Sequence, residues 1–199
     1  MNRKNKIKYG IKNCHYAVLT ENSDGSVSYA TPISAQGAVS ISLEAQIDEL
    51  NIPADDREDY YSDRKLRGYD GDLEIQCIDD EMRVALFGDT LNEDNVLIES
   101  TSTQSKKFAL LFEFTGDAHQ IRHVLYNCIA SRPKIESTTK GESIENKTDT
   151  LSVTARAIPN GDMVKAKTNE KTTENVYNNW YKSVYVPGTS GKNNEVTTG

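Results

Sequence analysis

Apolar and polar residues alternate with a period of two along most of the chain. Val39, Ile41, Leu43 and Ala45 alternate with Ser40, Ser42, Glu44 and Gln46, the pattern of a strand with one buried and one wet face. Leu73, Ile75 and Cys77 alternate with Asp72, Glu74 and Gln76 in the same way. Phe108, Leu110, Phe112 and Phe114 make the strongest strand, and Ala109 and Leu111 render its second face partly apolar too. Residues 122–131 and 151–158 read as further strands. Residues 14–21 and 27–33 flank the turn-rich link Asn22-Ser23-Asp24-Gly25-Ser26 and read as a hairpin. Thr115-Gly116-Asp117 and Pro159-Asn160-Gly161-Asp162 carry turn residues that predict two more.

Two stretches follow a helical period instead. Met82, Ala85 and Leu86 sit at helical spacing over residues 79–87, with Asp at the start and Gly88 where a C-terminal cap belongs. Val176, Tyr177, Trp180, Tyr181 and Val184 form one stripe over residues 173–183, which predicts a short amphipathic helix. Residues 48–70, 133–149 and 188–199 show neither period. The first is expected to be a long, charged inter-strand loop, and the last a flexible tail. The expected architecture is a mainly β, two-sheet antiparallel sandwich over residues 1–187 with one or two short helices.

Composition narrows the chemistry. The formal charge is −7, from 30 acids against 23 bases, which disfavours tight nucleic-acid binding. No apolar run approaches the roughly 20 residues of a membrane helix, and the basic start MNRKNKIKYG lacks the apolar stretch of a secretory signal. Synthesis in a cytosol is therefore expected, and Cys14, Cys77 and Cys128 read as buried free thiols.

A catalytic centre is not legible. Gly188-Thr189-Ser190-Gly191-Lys192 fails as a phosphate loop because Val186 and Asn193 stand where Gly and Ser or Thr are needed. His119 and His123 at the start of a strand lie roughly 13 Å apart, too far to share one ion. The acid clusters at 55–59 and 79–81 read as a loop among bases and a helix start that suits carboxylates. Neither a cofactor nor a metal is expected.

The unusual segment is 48–70. Asp55, Asp56, Glu58, Asp59 and Asp63 are mixed with Arg57, Arg64, Lys65 and Arg67, and with Tyr60, Tyr61 and Tyr69. One reading is a mobile surface loop. The other is an arm that orders on a neighbouring subunit, where opposite charges set register and tyrosines bury area at low entropy cost.

The order of segments resembles a family. KYGIKNCHYAVLTE, a Gly-containing turn and VSYATPISAQGAVSISLEAQ are similar to the opening of phage major tail proteins of the phi-thirteen type. GYDGDLEIQCIDDEMRVALFG resembles that family's strand-plus-short-helix block, and FALLFEFTGDAHQIRHVLYNCIASRP its central hairpin. TDTLSVTARAIPNGDMVKAKT and VYNNWYKSVYVP resemble its closing strands and terminal block. The similarity runs from about residue 7 to 187, in the family's order. The basic run at 64–67 departs from the family pattern.

The resemblance implies a structural virion protein, not an enzyme: the subunit of the tube of a long, non-contractile tail. Six copies would form a ring, with one sheet of each joining a continuous barrel around the lumen, and rings would stack. The long inter-strand segment would reach adjacent subunits, which assigns Asp55, Asp56, Arg57, Asp59, Tyr60, Tyr61, Arg64, Lys65, Arg67 and Tyr69 to an inter-subunit arm. Glu44, Asp72 and Glu74 become candidate lumen-facing acids, past which viral DNA slides without specific binding. Further expected partners are the tape measure, tail terminator and distal tail protein. The expected location is the virion tail, assembled in the host cytoplasm, with no membrane contact. The alternative is a monomeric β-sandwich binding module of the virion that recognises a receptor or carbohydrate.

Overall fold

The computed structural model describes residues 10–54, 57–115, 120–136 and 147–188; within these, the side chains of residues 52–60 are outside the description. The described chain is mainly β, with antiparallel sheets and two helices. Its strands are β1 (Ile11–Glu21), β2 (Val27–Tyr29), β3 (Ile33–Ser34), β4 (Ala38–Ala54), β5 (Arg57–Ile75), β6 (Thr90–Leu91), β7 (Leu97–Ile98), β8 (Phe108–Phe114), β9 (Arg122–Ala130), β10 (Asp149–Arg156) and β11 (Lys165–Lys167). Helices α1 (Asp80–Phe87) and α2 (Glu174–Asn179) complete the set.

The main sheet runs β2-β1-β8-β9-β10-β5-β4, with β3 added to β1 and β11 added to β9, while β6 and β7 form a separate hairpin. β1 also lies against β4, so the sheet curls and brings its ends together. The inner face gathers Tyr16, Leu73, Ile75, Phe108, Leu110, Leu125, Leu151 and Val153 into one core. Helix α1 plugs that core with Met82, Leu86 and Phe87. As the sequence predicts, Asp79 caps this helix by accepting from the Met82 backbone N–H at 2.7 Å, and Gly88 ends it in the left-handed region at φ 74°.

The outer face divides. Over β1, β8 and β9 it is apolar: Ala17, Ala109, Leu111, Val124 and Tyr126 pack under Trp180, Tyr181, Val184 and Tyr185. Residues 173–183 are thus only partly helical; α2 stops at Asn179, and the chain continues over the sheet as turns. Because both faces are covered there, Phe108–Phe112 is buried without alternation. Over β10, β5 and β4 the outer face carries polar residues, Ser40, Ser42, Glu44, Asp72, Glu74 and Ser152 among them.

Three expectations need correction. Residues 48–70 do not form a loop: β4 and β5 pair from Ala38↔Ile75 out to Ala54↔Arg57 as one long ribbon. The 159–162 turn does not join two paired strands, because β10 and β11 both pair with β9; it is closed by Ile158 N–H donating to Met163 O at 3.0 Å. Cys14 and Cys128 are buried, but Cys77 is exposed. The turn at 115–117, the middle of 133–149 and the tail beyond Gly188 lie wholly or largely outside the described residues, as does His119.

Candidate assembly surfaces

The arm is built by continuing two strands past their neighbours. β10 covers β5 from Ile75 to Tyr69 and ends at Arg156. From Gly68 outward, β4 and β5 pair only with each other among the described residues. A register shift between Gln46 and Ile47 leaves Arg67 as the extra residue of a bulge. Bulges bend and twist a ribbon, so this one sits where the ribbon can be re-aimed away from the sheet. Roughly eight residues per strand at ~3.4 Å each carry it about 27 Å outward.

Charge sets the register of the ribbon. Asp48 stands opposite Lys65 and Glu49 opposite Arg64. Arg64 donates to Glu49 Oε1 from Nε at 3.1 Å and Nη2 at 2.9 Å. Both partners are exposed, so solvent screening makes this pair a marker of register more than a source of stability. Between the charges stand exposed apolar residues: Ile47 is 57% exposed, Leu50 54%, Tyr61 52% and Leu66 46%. Ile47 and Leu66 face one side, Leu50 and Tyr61 the other. A two-stranded ribbon alone is marginal in water, and this one has exposed apolar groups on both faces and, among the described residues, two unpaired edges of the kind that another strand or chain can cover.

Of the sequence-predicted arm residues, Asp55 and Asp56 lie outside the described residues, and for Arg57, Asp59 and Tyr60 only the backbone is described. Tyr61, Arg64, Lys65 and Arg67 project from the free ribbon. Tyr69 belongs to the body: it is half-buried between Ala45 and Ala155, with Lys165 Nζ 5.0 Å over its ring.

The second surface is the polar outer face of β4, β5 and β10. The strand period brings Glu44, Asp72 and Glu74 together there and adds Asp70, which lies opposite both Glu44 and Thr154. Hydroxyls line the same rows. Ser40 and Thr148 donate to Glu74 at 2.9 and 2.5 Å, and Ser152 donates to Asp72 at 2.8 Å. Those two donors hold the Glu74 carboxyl below its usual range. Arg156 grips Asp70 with Nη1 to Oδ1 at 2.6 Å and Nη2 to Oδ2 at 3.1 Å, which lowers that carboxyl too. The face thus gathers the carboxylates Glu44, Asp70, Asp72 and Glu74, with Arg156 already committed to Asp70.

A smaller apolar patch, Leu91, Val96 and Ile98, is exposed on the β6–β7 hairpin. Arg132 fixes that hairpin by reaching Asp89 at 2.6 Å and Glu99 at 2.8 Å.

Sequence reasoning missed Ile47, Leu50 and Leu66 as ribbon residues, and missed Asp70 with Arg156. The usable signal was complementarity: Asp48-Glu49 read against Arg64-Lys65 is a cross-strand pairing code. No protein-family model matches the chain, and no curated protein matches it either.

Proposed function

We propose that this chain is the major subunit of the tail tube of a phage with a long, non-contractile tail, a structural protein and not an enzyme. The observation that carries the reading is the β4–β5 ribbon, which projects Ile47, Leu50, Tyr61 and Leu66 into solvent. A monomer gains nothing from such a ribbon; a ring of identical copies covers it and pairs the open strand edges. The curled sheet, with β1 against β4, suits the two-sheet sandwich of that family.

The anionic face of β4, β5 and β10 supports the same reading. In a ring of six, that face turned inward would give a carboxylate- and hydroxyl-lined lumen, which repels phosphates and does not hold passing DNA. Stacked rings would form the tube, with tape measure, tail terminator and distal tail proteins as its neighbours. The ordered resemblance over residues 7–187 is what suggests this family.

Electron microscopy of the purified chain at high concentration tests the proposal. Rings or tubes are expected, and deletion of residues 51–67 should leave a folded chain that does not assemble. A wild-type chain that stays strictly monomeric would overturn it.

A further inference from the structure

At the root of the ribbon, a cleft of about 590 Å³ opens between β5 and β11, lined by Leu66, Tyr69, Met163, Val164, Lys165 and Lys167. Its size falls within the roughly 300–1,000 Å³ of ligand clefts. The walls are strand edges. β11 pairs with β9 on one side only, and β5 from Gly68 outward pairs only with β4, among the described residues. Such edges offer backbone donors and acceptors to an added extended segment.

The charge around the cleft selects what enters. Lys165 and Lys167 are exposed on β11 and line the cleft, with Asp162 the one acid among the residues lining it; on the adjoining ribbon Lys65 is matched by Asp48 across the strands. Within this chain, residues 55–59 read Asp-Asp-Arg-Glu-Asp, and tyrosines follow at 60 and 61. The N-terminal segment has the opposite sign, with Arg3, Lys4, Lys6 and Lys8 and no acid before residue 10. The acidic end of the ribbon matches the cleft, and the N-terminal segment is repelled by it.

A ribbon cannot serve its own cleft. Between Leu66 and Arg57, roughly nine residues at ~3.3 Å each carry β5 about 30 Å from its root. We propose that this cleft is the receptor for the acidic end of the β4–β5 ribbon of a second copy of the chain. The contact is head-to-tail, joining unlike surfaces of like subunits, and therefore propagates around a ring or along a stack. It rests on the tube-subunit reading and names the surface that receives the arm.

Charge reversal in the full chain tests it. Lys165→Glu with Lys167→Glu should raise the concentration needed for assembly by about tenfold or more, as loss of complementary interfacial charge does. Adding Asp55→Lys, Asp56→Lys, Glu58→Lys and Asp59→Lys should recover much of that loss, with sedimentation velocity as the readout. A second probe needs no charge change in the rest of the cleft: Asp59→Cys with Lys167→Cys, in a Cys77→Ser background, should give inter-chain disulfide ladders on oxidation. Unchanged assembly of the cleft variant, beside loss of assembly on deleting 51–67, overturns the receptor and leaves the tube reading standing. Absence of any ladder from an assembling cysteine pair overturns it equally. A wild-type chain that never assembles removes both.

Discussion

Arg122 donates from Nε to Glu113 at 3.2 Å, and this carboxylate is fully buried. Asn13 donates to Glu113 at 2.7 Å and Tyr181 at 3.1 Å, with Lys12 at 3.4 Å. The Arg122 guanidinium also lies 3.8 Å over the Tyr177 ring and donates to the Tyr177 carbonyl. One buried acid thus ties β1, β8 and β9 to the C-terminal segment. Removing it strands Arg122, so Glu113→Ala should cost about 3–5 kcal/mol of unfolding free energy. Urea denaturation followed by circular dichroism measures this. A loss below 1 kcal/mol would mean that water replaces the carboxylate at little cost.

The same segment is held by packing. Trp180, 2% exposed, lies in the outer-face cluster, stacks on Tyr185 at 5.7 Å and donates to the His123 carbonyl at 3.4 Å. Trp180→Ala should cost about 3–5 kcal/mol, the usual penalty for emptying a large aromatic site. Trp180→Phe should recover most of it. If the alanine variant unfolds at the same urea concentration as wild type, residues 180–186 are not part of the cooperative core.

What the sequence made legible follows from where one physical effect dominates. In β8 and α1, hydrophobic period and capping agree, so Phe108–Phe114 and Asp80–Phe87 are readable almost to the residue. In the ribbon, the pairing information is carried by opposite charges on two strands, which a scan for apolar alternation registers as loop composition. Asp72 and Glu74 could be placed on a polar face from period alone. Their neighbour Asp70 could not be given its role, because Arg156 lies on another strand 86 residues away in the chain. The extent of α2 was overstated because Tyr and Trp at helical spacing pack equally well from turns.

Gly71 marks a close approach that the sequence alone did not flag. A Cβ added there would stand 1.9 Å from the Ser42 carbonyl oxygen, between the facing residues Leu43 and Val153. Backbone cannot yield as a side-chain tip can, so Gly71→Ala must push β4 away from β5. The expected loss is about 1–3 kcal/mol, and the lever is long because the ribbon extends from these strands. Thermal unfolding gives the stability change, and sedimentation gives any loss of assembly. A variant indistinguishable from wild type in both would show that β4 shifts without cost.

Asp70 and Arg156 predict how the polar face responds to acid. Hydrogen bonding from Arg156 is the largest cause holding the Asp70 carboxyl below its ordinary value. A depressed folded-state pKa gives stability that is present above the unfolded value of about 3.9 and is lost as pH falls through the folded one. The pair is partly exposed, so solvent screening keeps that contribution small. The sharper measurement is therefore the titration itself. In Arg156→Ala, the Asp70 carboxyl should titrate at higher pH than in wild type, followed by carboxyl-carbon NMR. Glu74 serves as the internal control, because its depression comes from Thr148 and Ser40 and should not move. If Asp70 titrates at the same pH with and without Arg156, the guanidinium is not what keeps it ionised, and the anionic character of the face must come from its exposure alone.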